Sequence, residues 1–237
     1  MTAFKKTLST LSVCAALFVA AQANAANEST LKVTGSIVPA ACTPTLSNSG
    51  EVSFGTIAAS VIKSPAEGNG LVQLGAKDIT FSISCEAEAA VGFKMIDNRT
   101  SSAVALSASN YIVSPVSGGA SAAQTYFGFG LGLASNNAKI GAYSITLDGA
   151  NTTADGAAAS LVYSDDEGKS WRTNTAVYQV ADSARITTVA KTGSSQPQLF
   201  EEASFALKIS AGVQPSSVLG SDEITLDGNA TLSLVYH

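Results

Sequence analysis

Nucleophilic catalysis by serine or cysteine needs an imidazole within hydrogen-bonding reach, and the chain offers one histidine, His237, its last residue. Carboxylates are better supplied: Asp165-Asp166-Glu167, Glu201-Glu202 and Asp222-Glu223 are adjacent acids of the kind that cleave glycosides in pairs. Neighbouring positions on a strand point to opposite faces, however, so these clusters read as solvated turns rather than as converging acids and bases. The expectation is a protein with no catalytic residues, no metal site and no cofactor. Aromatic side chains leave one binding chemistry open, the stacking of Trp171, Tyr126 or Tyr111 on a sugar ring.

Cysteine is the other reactive type. Cys14 falls in an apolar run from Leu8 to Val19 that follows Lys5 and Lys6 and precedes the small residues Ala23-Asn24-Ala25. This is the pattern of a secretory signal, so residues 1–25 are expected to be removed and 26–237 to form the mature domain. The run is too short to serve as a bilayer-spanning anchor, which needs about 20 residues. Cys42 and Cys85 remain, and two cysteines in an exported chain read as one disulfide. Without the leader the balance is 11 basic against 18 acidic residues, a net charge of −7. Such a surface does not seek nucleic acid or anionic lipid.

The elements that must carry these residues are short and alternate with period two. Ile79 to Ile83, Phe205 to Ile209 and Leu232 to Tyr236 are clear cases, separated by turn residues at Asn48-Ser49-Gly50, Gly68-Asn69-Gly70, Asp148-Gly149 and Asp227-Gly228. An all-β, antiparallel sandwich is the natural architecture. From Gly128 to Gly132 glycine occupies every second position, which bares one face of that stretch for close packing. Ser164-Asp165-Asp166-Glu167-Gly168-Lys169-Ser170-Trp171 resembles the Asp-box of sialidase propellers, where it is a hairpin remote from the chemistry. One copy predicts a hairpin, with Asp166 bonded to turn amides, Gly168 at positive φ and Trp171 folded back over it.

The two ends carry the strongest resemblance. Val33-Thr34-Gly35-Ser36-Ile37-Val38-Pro39-Ala40-Ala41-Cys42 resembles the first strand of chaperone-usher fimbrial subunits, which ends on the first half-cystine. Gly228 to His237, with alternating apolar residues and a penultimate tyrosine, resembles their terminal strand. Leu71 to Gly75, Lys139 to Ala142 and Leu219 to Glu223 resemble segments of the GltF-like family of periplasmic, fimbrial-like proteins. The resemblance implies an immunoglobulin-like, pilin-type sandwich that lacks its final strand, lives in the periplasm or at the cell surface in a fimbrium, and takes part in adhesion. It implies as partners a periplasmic chaperone, an outer-membrane usher, other subunits and a host or surface glycan.

A missing strand would be supplied by donor-strand complementation, with Leu232, Leu234 and Tyr236 as the recognition residues. Only Ala26 to Thr30 precede Leu31, and Leu31, Val33 and Ile37 are expected in the protein's own sheet ahead of Cys42. The expectation is therefore an acceptor of a strand rather than a donor. The alternative, from another class, is a secreted carbohydrate-binding module with a complete sandwich.

Overall fold

A computed structural model describes residues 29–38, 40–116, 121–220 and 222–237. The expected leader lies outside them. The chain divides into a short N-terminal stretch ending at Ile37 and a body from Val38 to His237. In the N-terminal stretch, Ser29 to Ile37 carries no strand, and Leu31, Val33 and Ile37 are exposed. This corrects the expected first strand, which begins only at Cys42.

Among the described residues the body holds thirteen strands: β1 (Cys42–Leu46), β2 (Val72–Ala89), β3 (Val91–Asp97), β4 (Ile112–Val113), β5 (Ser121–Ala122), β6 (Phe129–Gly130), β7 (Gly141–Ala154), β8 (Ala157–Ser164), β9 (Arg172–Thr173), β10 (Ala176–Tyr178), β11 (Ile186–Lys191), β12 (Phe200–Val213) and β13 (Ala230–Tyr236). A four-residue helix, Ser216–Leu219, follows β12. All the pairings are antiparallel, in the order β1-β2-β12-β7-β8-β11-β3-β13. β7 and β8 pair only at Thr153 with Ala158 and Ala154 with Ala157, so the sheet folds over at that corner into two layers. The result is an antiparallel β-sandwich.

Alternation explains which faces meet. Ile79, Phe81 and Ile83 of β2 and Phe205, Leu207 and Ile209 of β12 are buried at every second position. Phe93 comes from β3 in the opposite layer, with ring centroids 4.8 Å from Phe81 and 5.0 Å from Phe205. These three rings join the layers, and edge-to-face aromatic pairs add to the area they bury. Cys42 and Cys85 face each other in the β1–β2 register and are disulfide-bonded. Asp148-Gly149, expected as a turn, instead lies inside β7 at a register shift against β12, where the ladder bulges without ending.

The stretch with alternating glycines forms a strand only at β6, after a 3-10 turn at Thr125–Phe127. A side chain at Gly130 would meet the Arg99 carbonyl oxygen at 2.2 Å and Ser102 Oγ at 2.4 Å, so the bared face receives a tight backbone turn. Buried Asp97 fastens this region. Its carboxylate accepts from the Arg99 and Gly130 amides, each at 2.8 Å. Residues 103–116 and 121–128 cover the outer face of β7 and β12 with a second small core of Leu71, Leu106, Ile112, Ala122 and Ala142.

Candidate functional site

One long side of the sandwich is not finished by strands. After β1 a 3-10 turn at Ser47–Gly50 leads into residues 51–58, which follow the side of the sandwich without entering a strand. Val52, Phe54 and Ile57 are half-buried against the main core while Glu51, Ser53, Gly55 and Thr56 are exposed, a strand-like alternation with no ladder partner. Opposite them, residues 222–229 run without strand structure into β13, and Ile224 and Leu226 are half-buried in the same way. β13 itself pairs on one side only, with β3.

Between these two walls lies an apolar trough. One cavity of about 260 Å³ is floored by Ile79, Met95, Tyr143, Ile145 and Leu207 and bounded by Phe54, Leu226 and Leu232. A second, of about 700 Å³, continues past Gly228 along residues 50–62 and 222–226. Burial, reinforced by the charge of Asp97, pushes the Tyr143 phenol well above its ordinary value, so it stays a neutral part of the floor. Backbone amides and carbonyls along a one-sided strand and an unpaired segment, above an apolar floor, suit an extended chain better than a compact ligand.

Of the residues expected to recognise a strand, Leu232 lines the trough. Leu234 is half-buried and packs against the main core. Tyr236 is exposed, and its Oη accepts a 3.0 Å hydrogen bond from the backbone amide of Cys42. The larger part of the trough comes from residues that sequence reasoning did not single out: Val52, Phe54, Ile224 and Leu226. Their period-two spacing was a readable signal, but spacing alone does not say whether a neighbouring strand is present.

The aromatic residues considered for sugar stacking sit in three different settings. Trp171 packs beside the His237 ring, with centroids 5.1 Å apart. Tyr126 is exposed and lies edge-on to Phe127 at 4.5 Å. Tyr111 is half-buried, and its main chain is held by Asn69 and Gln73.

The three aspartates of these clusters are each held by partners of their own. Asp165 pairs with Arg185 at 2.7 Å and with Arg172 at 3.8 Å. Asp166 accepts from Ser164 Oγ at 2.6 Å, Ser170 Oγ at 2.5 Å and the Ser170 amide at 2.9 Å, which together hold its pKa far below the ordinary carboxylate range. Gly168 has φ of +84°, and the Trp171 ring reaches back to within 3.7 Å of where its Cβ would stand. The Asp-box reading of this hairpin therefore holds in each part. Asp222 accepts from Ser135 Oγ at 2.8 Å, and the Glu201 and Glu202 amides both donate to Asp155.

GltF of Escherichia coli strain K12 is 37% identical over 258 aligned positions, which cover 98% of this chain and 99% of GltF. The chain belongs to the GltF family. The uncharacterized protein YhcF of the same organism is 29% identical over 237 positions, covering 95% of this chain and 98% of YhcF. Residues 31–144 match the family model described as "Protein of unknown function (DUF1120)". Within the GltF-family sequence that match takes in both disulfide cysteines, the 50–62 wall and the cover segment, and it stops short of β13. No solved structure matches the chain. Among the described residues no helix is long and apolar enough to cross a membrane.

Proposed function

We propose that this chain is an exported, non-catalytic structural subunit of fimbrial type, completed by an extended strand that another protein supplies. The observation that carries this reading is the apolar trough between Val52–Ile57, which joins no ladder, and Leu226–Leu232, whose strand part pairs with β3 on one side only. An apolar channel with exposed edges is an aggregation hazard unless covered, and an alternating peptide covers floor and edges at once. In the periplasm the cover would come from a chaperone of the pilus type, and after passage through an outer-membrane usher from a neighbouring subunit. The disulfide fits an oxidising compartment.

The proposal is confined to acceptance of a strand. Leu31, Val33 and Ile37 lie outside the sheet, so the sequence argument that they are committed to it, and cannot be donated, does not stand. A glycan as the ligand of an assembled fibre remains part of the same reading. No arrangement of Trp171, Tyr126 and Tyr111 favours a separate carbohydrate-binding module.

The test is direct. The disulfide-bonded protein is titrated with an alternating Val–Thr peptide, and binding is followed by calorimetry and by the rise in melting temperature. Binding that is lost when Leu226 or Phe54 is changed to aspartate supports the proposal. A protein that stays monomeric and ignores the peptide at millimolar concentration refutes it.

A further inference from the structure

The trough is not equally open along its length. Its lining from β13 ends at Leu232, and neither Leu234 nor Tyr236 contributes. Beyond Leu232 the strands β1 and β13 are tied together. The Cys42 amide at the head of β1 donates to Tyr236 Oη at 3.0 Å, and this bond crosses from one layer of the sandwich to the other. Cys42 is fixed from behind by its disulfide to Cys85. The same end of β13 is held by the His237 amide, which donates to the Ala90 carbonyl at 3.2 Å, and by the His237 ring beside Trp171. At the other end Gly50 and Gly228 flank a continuous opening into the larger cavity.

Resting on the reading of the trough as a strand acceptor, we infer that the Tyr236–Cys42 hydrogen bond is a latch that sets the length of strand the trough accepts. An incoming strand enters at the Gly50–Gly228 end and lies along Leu226 to Leu232. To continue alongside Leu234 and Tyr236 it must break the latch, because the Tyr236 side chain there bridges β13 to the Cys42 amide of β1. Tyr236 is thus a specificity-determining residue that keeps a longer strand from gaining affinity over a short one, and its effect does not come from contact with the strand's side chains.

Two alternating Val–Thr peptides test this, one as long as Leu226–Leu232 and one as long as Leu226–Tyr236. The wild type is expected to bind them with similar affinity. Tyr236→Phe, which keeps the ring and removes the acceptor, should bind the long peptide about fivefold tighter and leave the short one unchanged. Tyr236→Leu should behave alike if the missing acceptor is the cause. Equal changes for both peptides, or no change for either, overturn the latch.

Amide exchange without peptide separates the two proposals. The Cys42 amide should be protected in the wild type and exchange about fivefold faster in Tyr236→Phe, with the disulfide intact. If neither peptide binds any variant, strand acceptance fails and the selection of length falls with it; if both peptides bind, a change confined to the long one upholds the latch, and its absence overturns the latch while strand acceptance stands. Unprotected Cys42 in the wild type overturns it whatever the peptides do.

Discussion

Two segments without long strands lie against the sandwich, and they behave in opposite ways. The cover segment seals the outer face of β7 and β12. The 50–62 wall leaves its side open. The difference lies in what each backbone is tied to. The cover segment is stitched to distant positions: the Tyr111 amide and carbonyl are held by Asn69, the Val113 amide by Gln73 Oε1 at 2.8 Å, and the Val104 amide by the Gly141 carbonyl at 3.1 Å. It also brings its own buried Leu106 and Ile112. The described bonds of the 50–62 wall are mostly local, from the Glu51 amide to Asn48, the Gly55 amide to Ser53 and the Val61 amide to Ala58. Irregular backbone closes a surface only when its polar groups and an apolar stripe both find fixed partners.

The comparison breaks most severely at the disulfide, which anchors the head of β1 just before the open wall. Replacing Cys42 and Cys85 by serine should cost about 4 kcal/mol, the chain entropy of a loop of this size. Urea denaturation should show this as a lower midpoint. Peptide binding to the trough should weaken as well, because β1 leads directly into the 3-10 turn and the wall.

Ile112→Ala should cost about 3 kcal/mol, since Ile112 is fully buried in the small second core. The same measurement should find trough binding unchanged. A fall in peptide affinity in this variant would mean that the two sides are coupled through β12, and the contrast between them would lose its meaning.

Leu226→Ala sharpens the contrast from the other side. Leu226 is only half-buried, so truncation should cost about 1 kcal/mol of stability. Because the residue bounds the trough, peptide affinity should nevertheless fall about tenfold, a loss of about 1.4 kcal/mol of binding. A large stability loss with normal binding would make Leu226 an ordinary core residue.

Much of this was legible in the sequence. Alternation located β2, β12 and β13, the cysteine count gave the disulfide, and the Asp-box pattern gave the β8–β9 hairpin down to the roles of Asp166 and Gly168. The failures share a cause. Leu31 to Thr34 and Val52 to Phe54 alternate as β13 does, yet neither is a strand, because alternation records a side chain's preference for a half-buried surface and not the presence of a hydrogen-bonding partner. Asp148-Gly149 has turn chemistry, but the long ladder with β12 on one side and the short one with β10 on the other carry the chain through it as a bulge. The trough was therefore readable as apolar residues and not as a site, which exists only where two unpaired segments face each other.

The smallest expected effect concerns Asp166, in a hairpin away from both regions. Its carboxylate accepts from two hydroxyls and an amide, and these bonds, Ser164 foremost, favour the charged form. A carboxylate whose folded pKa is depressed contributes stability that is complete above the unfolded value of about 4 and is lost as pH falls through the lower folded value. The hairpin should therefore keep its closed form at pH values where free aspartate is already protonated. Trp171 is the single tryptophan of the chain and packs over Gly168 and beside the His237 ring, so its fluorescence reports this hairpin once the imidazole is replaced, as in His237→Phe. In that background emission should stay constant from neutral pH to about pH 4 and shift only below it. Asp166→Asn, which retains one acceptor oxygen but no charge, should show the shifted emission already at neutral pH, with little change in the unfolding midpoint. An emission change in the His237→Phe protein centred at or above pH 4, while the body remains folded, would show that the turn bonds do not hold the Asp166 carboxylate in its charged form.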